Sequence, residues 1–399
     1  MRNYATTDSA VKSLQPEHPV VIYRAHALKR AVESFTRGFK GRVMYAVKTN
    51  PDEHVLRDLW ANGIRTFDVA SLHEVAMVRG LLPDAELFFM HTVKSRQAIR
   101  DAYAKYGVRN FSLDSTEELA KILEETGNAT DLGLHVRVAI PNTHAELTLS
   151  DKFGAPTDKA PALLQAVRAV AKHAGVCFHV GSQCMHPDAY RMAIQMAKKV
   201  VKVANVKIDS FDVGGGFPSM YPGMNPPDMA SFFRAIHDNT RDLVKQHGCE
   251  LLAEPGRALV AESGAVVVRV EMRKGDFLYL NDGTYGSLFD AGVPKFIFPA
   301  RVLRSDVSND LRPFSFYGPT CDSMDFMKGP FYLPEDVREG DYLEIGQLGA
   351  YGRTMATRFN GFSISNQVIA VRDEPLMSMY RPDRLLQPEY EVAYNVASA

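Results

Sequence analysis

Eight short apolar runs, each closing on a polar, charged or glycine residue, limit most severely what this chain can fold into. They read VMYAVK (43–48), TFDVAS (66–71), ELFFMH (86–91), NFSLDS (110–115), LHVRVAI (134–140), VCFHVGS (176–182), IDSFDVGGG (208–216) and LLAEPG (251–256). Segments of helical spacing lie between most of them. SLHEVAMVRGLL puts Leu72, Val75, Ala76 and Val78 to one side, and DSTEELAKILEE opens on Ser115 with Glu118 three residues on, in the manner of a capping box. Strands alternating with helices predict a parallel sheet with buried strands. Eight of them, about 20 to 40 residues apart, fit a (β/α)8 barrel better than a doubly wound open sheet, which stays the alternative. Barrel chemistry collects at the C-terminal strand ends. Here those ends carry Lys48, Asp68, His91, Arg137, His179, Gly214, Gly215, Gly216 and Glu254.

After residue 260 the texture changes. AVVVRVEMRK, DFLYLND, YLEIGQLGAY and FSISNQVIAVRD alternate, with glycine and proline between them, and read as antiparallel strands of a second, β-rich domain. The expected division is 1–25 as a segment pairing with that domain through PVVIYRA, 26–260 as the barrel and 261–399 as the C-terminal β domain. The last residues, NVASA, look frayed.

The chain is long enough, at 399 residues, for one large domain and a smaller one. Lys and Arg number 46 against 47 Asp and Glu, and no basic stripe carries interleaved aromatics, so nothing points to nucleic acid. No apolar run approaches the roughly 18 residues of a membrane span. The N-terminus lacks the apolar core of a signal peptide, and the four cysteines are too scattered for a disulfide framework or a metal site. Cys177, Cys184 and Cys249 read as small buried hydrophobes, and the expected compartment is the cytoplasm.

A lysine at the end of a strand ordinarily reaches water. Lys48, ending an apolar run, would be partly desolvated and its pKa pushed down, as Schiff-base chemistry requires. DVGGGFP (212–218) could bring backbone N–H groups close to a phosphate, helped by a helix N-terminus if one follows; alone it reads equally as a turn. In AEPGR, Glu254 precedes a Pro-Gly turn and Arg257 could reach the same anion, or the two could be a surface pair. In FHVGSQ, His179 is either a satisfied core histidine or a ring stacked on a flat cofactor, with Ser182 three residues on. GPTCDSMD sets Cys321 among acids, favouring a thiol that donates a proton over a nucleophilic thiolate.

Together these motifs resemble the fold type III pyridoxal-phosphate (PLP) decarboxylases, which are alanine-racemase-like in fold, and among them the bacterial ornithine/lysine decarboxylases. YAVKTN, FDVAS, HVGSQ, DVGGGFP, AEPGR, NDGTYGS, GPTCDSMD, GAYG and FNGF occur in family order over nearly the whole chain. The resemblance implies that Lys48 forms the Schiff base with PLP and that Glu254 pairs with the ring nitrogen. It implies that Ser182, Gly214, Gly215, Gly216, Arg257 and Tyr351 hold the phosphate, that His179 stacks on the ring, and that Asp68 and Arg137 lie near the lysine and the 3-hydroxyl. Cys321 would reprotonate the α-carbon, Asp322 would bind a diamino acid's distal ammonium, and Phe359 would line an apolar pocket around the α-carboxylate. It also implies a head-to-tail homodimer with shared sites, bridged by a pair matching Lys152 and Asp325.

The chain departs from the family in two places. After NDGTYGS it runs LFDAGVPKF, shorter than the eukaryotic enzymes, with Asp290 the candidate substrate-reading acid; FMHTVK replaces an Asn-Pro pair and leaves His91 without a role. The expected activity is decarboxylation of L-ornithine to putrescine, with L-lysine to cadaverine beside it. Diaminopimelate decarboxylase is the rival within the class, and a non-catalytic, antizyme-inhibitor-like binding protein the rival outside it.

Overall fold

The computed structural model describes residues 1–141, 145–147, 152–362 and 367–381. The expected fraying of NVASA lies outside the described residues. The chain forms two compact units: Val32–Pro218 with Pro227–Gly256, and Met1–Ala31 with Ser219–Pro226 and Arg257–Ala399.

All eight apolar runs of the first unit are strands. They are β1 (Arg42–Ala46), β2 (Thr66–Val69), β3 (Glu86–Phe89), β4 (Asn110–Leu113), β5 (Gly133–Arg137), β6 (His173–Cys177), β7 (Ser210–Asp212) and β8 (Glu250–Ala253). Each pairs in parallel with the next, and β8 returns to β1 through Leu252 opposite Arg42, closing the barrel. Their near-continuous burial follows from closure, because side chains fill one face and helices cover the other. Met44, Phe88, Met90, Cys177 and Leu252 form one core cluster.

Two helices begin where the sequence marks them. Ser71 caps Leu72–Leu81 by accepting the Glu74 N–H, and Ser115 caps Thr116–Glu125 by accepting the Glu118 N–H at 3.2 Å. The Glu118 carboxylate takes the buried Lys94 ammonium at 2.9 Å and the Lys94 N–H. A buried ammonium needs a matched charge, and this side chain supplies it.

The second unit is built on a nine-stranded sheet. Val20–Tyr23 runs antiparallel to part of Gly264–Lys274 and parallel to Val368–Ala370. Gly264–Lys274 continues to Phe277–Leu280 and to Tyr342–Ile345. Antiparallel pairing dominates as expected, with parallel exceptions at Val368–Ala370 and between Phe277–Leu280 and Leu311–Tyr317. The hairpin of Leu311–Tyr317 and Phe326–Pro334 is an addition to the sequence reading, its periodicity broken by Pro313, Gly329 and Pro330. Cys177, Cys184 and Cys249 are buried and Cys321 is exposed. No helix among the described residues is long and apolar enough to cross a membrane.

Candidate active site

The barrel's C-terminal rim gathers side chains from six strands. Lys48, Asp68, His91, Arg137, His179 and Glu254 line a single cavity of about 340 Å³, within the range of small-molecule sites. Lys48 sits just past β1, in the 3-10 turn Val47–Thr49 between two buried neighbours. Lys48 is exposed in this turn, where its sequence context suggested partial desolvation.

The cavity's acids are set by burial. Burial, then the neighbouring Glu254, pushes the Asp68 carboxyl well above the usual range, against the pull of Lys48. Burial likewise lifts Glu254, and its contact with Asp212 adds to the rise. His179 is held neutral by burial and by Lys48 and Arg137; its Nδ1 accepts the Gly181 N–H at 2.9 Å, which leaves Nε2 to carry the proton. His91 packs edge-on against Phe153, 5.2 Å between ring centres, and burial followed by nearby cations lowers its basicity. The Arg137 guanidinium lies 5.4 Å from the same Phe153 ring centre.

The glycine loop is tightly enclosed. A Cβ on Gly214, whose φ is +69°, would overlap the Phe178 carbonyl oxygen, and one on Gly216 would overlap that of Gly181. On Gly215 it would meet the Glu254 carbonyl oxygen at 2.7 Å and His179 Nε2 at 3.1 Å. The buried Tyr190 hydroxyl donates to the Gly215 carbonyl at 2.9 Å, and the Gly214 N–H donates to Asp212 Oδ1 at 2.8 Å. No helix follows the loop directly; the next begins at Met229. Ser182, also in this unit, starts the short strand Ser182–Cys184.

Arg257 and Tyr351 belong to the second unit. There the Arg257 guanidinium is 4.9 Å from the Tyr351 ring centre, donates to the Tyr221 hydroxyl at 2.7 Å and pairs with Asp290 at 3.1 Å. Asp290 is buried, and its charge is already matched. This pairing competes with the substrate role expected of Asp290, since a carboxylate committed to a buried guanidinium is less open to a distal ammonium. Asp325, expected to bridge two chains, is buried within this unit, accepting from the Thr284 N–H (2.7 Å), the Thr320 N–H (3.0 Å) and the Thr320 hydroxyl (2.7 Å).

Cys321, Asp322 and Phe359 form one cluster in that unit, with two residues the sequence reading passed over. Tyr285 donates to Asp322 at 2.5 Å and packs on Phe359, ring centres 5.0 Å apart. The Met324 N–H and the Tyr285 hydroxyl hold the Asp322 carboxyl below its usual range. Asn360, at φ 52°, presents Oδ1 to both the Cys321 N–H (3.2 Å) and Sγ (3.1 Å). The backbone donor fixes the amide oxygen toward the sulfur, so the thiol is held as a donor. Asp212 was also missed, read only as the residue before the glycines.

Residues 22–261 match the family model described as the pyridoxal-binding domain of pyridoxal-dependent decarboxylases. The chain belongs to the pyridoxal-dependent decarboxylases. A lysine/ornithine decarboxylase of Selenomonas ruminantium is 31% identical over 389 residues, covering 94% of this chain and 95% of that one. An antizyme inhibitor 2 of Xenopus laevis is 32% identical over 354 residues, 80% of this chain and 74% of the other. The crystal structure of the Paramecium bursaria Chlorella virus arginine decarboxylase bound to agmatine superposes with a TM-score of 0.79 at 26% identity, covering 91% of this chain and 98% of that one.

The cofactor of this decarboxylase is pyridoxal 5'-phosphate, and the barrel cavity fits it. An amine, a carboxyl and a neutral imidazole converge on one cavity, and the glycine backbone beside it leaves no room for side chains.

Proposed function

We propose that this decarboxylase acts on L-ornithine, giving putrescine, and accepts L-lysine as a second substrate. The observation that carries the reading is the Cys321–Asp322 cluster. A thiol held as a donor stands beside a carboxylate held ionised by Tyr285, which suits a substrate with a reacting carbon at one end and an ammonium at the other.

When bound, PLP supplies the electron sink for the pair left on the α-carbon as CO2 departs. The residues that would hold it in the barrel are Lys48 at the aldehyde, Glu254 at the ring nitrogen, His179 on the ring face, and Ser182 with Gly214, Gly215 and Gly216 at the phosphate. Asp68 and Arg137 would flank the lysine and the 3-hydroxyl. Phe359 would exclude water from the departing carboxylate, favouring neutral CO2 over a charged group. Cys321 Sγ would then give its proton to the α-carbon, and the Asp322 carboxylate would hold the distal ammonium.

Cys321, Met324, Phe359 and Phe362 are exposed on their unit. In the head-to-tail homodimer the family resemblance suggests, they would complete the site of a second subunit. Mixing Lys48→Ala with Cys321→Ala protein, and reading amine release above that of Cys321→Ala alone, tests this. Random reassortment should restore about a quarter of parental activity, since half the dimers regain one intact site of two. No recovery removes the shared site.

Amine release from L-ornithine, L-lysine, L-arginine and meso-diaminopimelate tests the substrate. Turnover of arginine or diaminopimelate alone would overturn the assignment. A non-catalytic role like that of the antizyme inhibitor would require failure to retain PLP. With Lys48, Glu254 and His179 all on the cavity wall, we expect PLP to be bound and trapped on Lys48 by borohydride.

A further inference from the structure

Beneath the cavity lies a carboxyl group that the mechanism above does not use. Asp212 closes β7 beside β8, in register with Leu252 and two residues short of Glu254. It is completely buried, and its two oxygens are unequally served. Oδ1 accepts the Gly214 N–H at 2.8 Å, while Oδ2 meets no donor. The Glu254 N–H is tied to the Gly214 carbonyl at 2.9 Å, which brings the two acids to the same turn, where each carboxyl acts on the other.

Ionised carboxylates only accept, so two of them touching make no hydrogen bond. Left bare, the pair would put an orphaned acceptor and two like charges side by side out of water. A single proton between Asp212 Oδ2 and Glu254 removes both costs. The surroundings agree. The cations acting on the pair are Lys48 and Arg137, and the third nearby carboxyl is Asp68. The Cys177 thiol and the His179 imidazole are both driven by burial toward their neutral forms, and Lys152 on the same wall is exposed. Neither of these neutral groups gives Asp212 Oδ2 a donor.

We propose that Asp212 and Glu254 hold one proton between them in the cofactor-free protein, and that this proton passes to the cofactor's ring nitrogen when Glu254 meets it. In the transfer an O–H bond breaks, an N–H bond forms, and both carboxyls end ionised beside the new cation. Asp212 is thus a positioning residue that stores the proton Glu254 needs. The second half of the proposal rests on the role of Glu254 given above; the first does not.

Infrared difference spectra of cofactor-free protein at neutral pH test the first half. Asp212→Asn keeps the side chain's shape and its acceptor for Gly214, and should remove one protonated-carboxyl C=O band from the parent spectrum. Glu254→Gln should remove the same band, and Asp68→Asn should leave it. A band untouched by both substitutions, or lost in only one, overturns the shared proton. The second half is read by calorimetry of PLP binding in two buffers of different ionisation enthalpy. Asp212→Asn should take up about one more proton per chain than the parent, and equal uptake overturns the transfer. If Glu254→Gln binds PLP with parental affinity and an unchanged absorbance titration, the role of Glu254 fails instead, whatever the infrared result.

Discussion

Asp290 gives the sharpest test, because the sequence and the structure assign it different work. As a substrate reader it would be dispensable for folding. As found, it matches the charge of Arg257, with 3% and 8% of the two side chains exposed. Asp290→Ala removes the only carboxylate paired with that guanidinium among the described residues. The Tyr221 hydroxyl and the faces of Phe296 and Tyr351 stay in place, 5.1 and 4.9 Å from the guanidinium carbon for the two rings. They contribute equally before and after, so they offset nothing. Breaking a buried pair by removing one partner costs about 3–5 kcal/mol, because the other charge is left uncompensated. Replacing both by apolar residues, as in Arg257→Met with Asp290→Leu, should recover most of that loss. The assay is urea unfolding of cofactor-free protein, with relative kcat/KM for ornithine and lysine measured on the loaded enzyme. A loss under about 1 kcal/mol, with a tenfold change in the substrate ratio, would refute the argument and return Asp290 to the substrate.

Gly214→Ala should destabilise the protein by more than about 2 kcal/mol and weaken PLP binding at least about tenfold. Gly107→Ala, at the same φ of +69° but in open space, should cost only about 1 kcal/mol in the same urea assay. Cys321→Ala should retain PLP but divert product from amine to aldehyde, and Asn360→Ala should do so to a smaller extent, read as the amine-to-aldehyde ratio; parental purity in both would remove Cys321 as the donor. Burial raises Glu262 from 4.5 to about 7, although the Ser378 hydroxyl and the Met379 N–H donate to it. The folded protein therefore binds a proton there that the unfolded chain has released, and stability falls as pH rises between these values. The full shift is worth about 3 kcal/mol, so the urea-unfolding stability of the parent relative to Glu262→Gln should drop by about 2–3 kcal/mol from pH 5 to 8. A flat difference would exclude it.

The barrel was legible because each of its strands is a short apolar run bounded by helix signals, and closure buries such runs whatever their order. The rim was legible for the same reason, as a strand's last residue points into the site. What escaped depended on contacts between residues distant in sequence. Arg257 and Asp290 stand 33 residues apart, and Asp325 lies 41 from Thr284, so nothing local announces either partnership. The exposure of Lys48 depends on a single 3-10 turn that no periodicity encodes. Asp212 was hidden by its neighbours, since three glycines in a row draw attention to backbone rather than to the acid before them.

The sheet of the second unit carries a demand on timing. Val20–Tyr23 finds its neighbours only at Gly264–Val267 and Val368–Ala370, about 240 and about 350 residues further along. The barrel's last strand ends at Ala253, so during synthesis the barrel can close while the sheet still lacks partners. At about 5–20 residues per second, the stretch from there to Ala370 takes roughly 6–25 s to make. Throughout that interval the side chains of Val20 and Ile22, which end almost completely enclosed, face solvent or a chaperone. The nascent chain is therefore most prone to aggregate after its barrel is complete, with Val20–Tyr23 still waiting for Val368–Ala370.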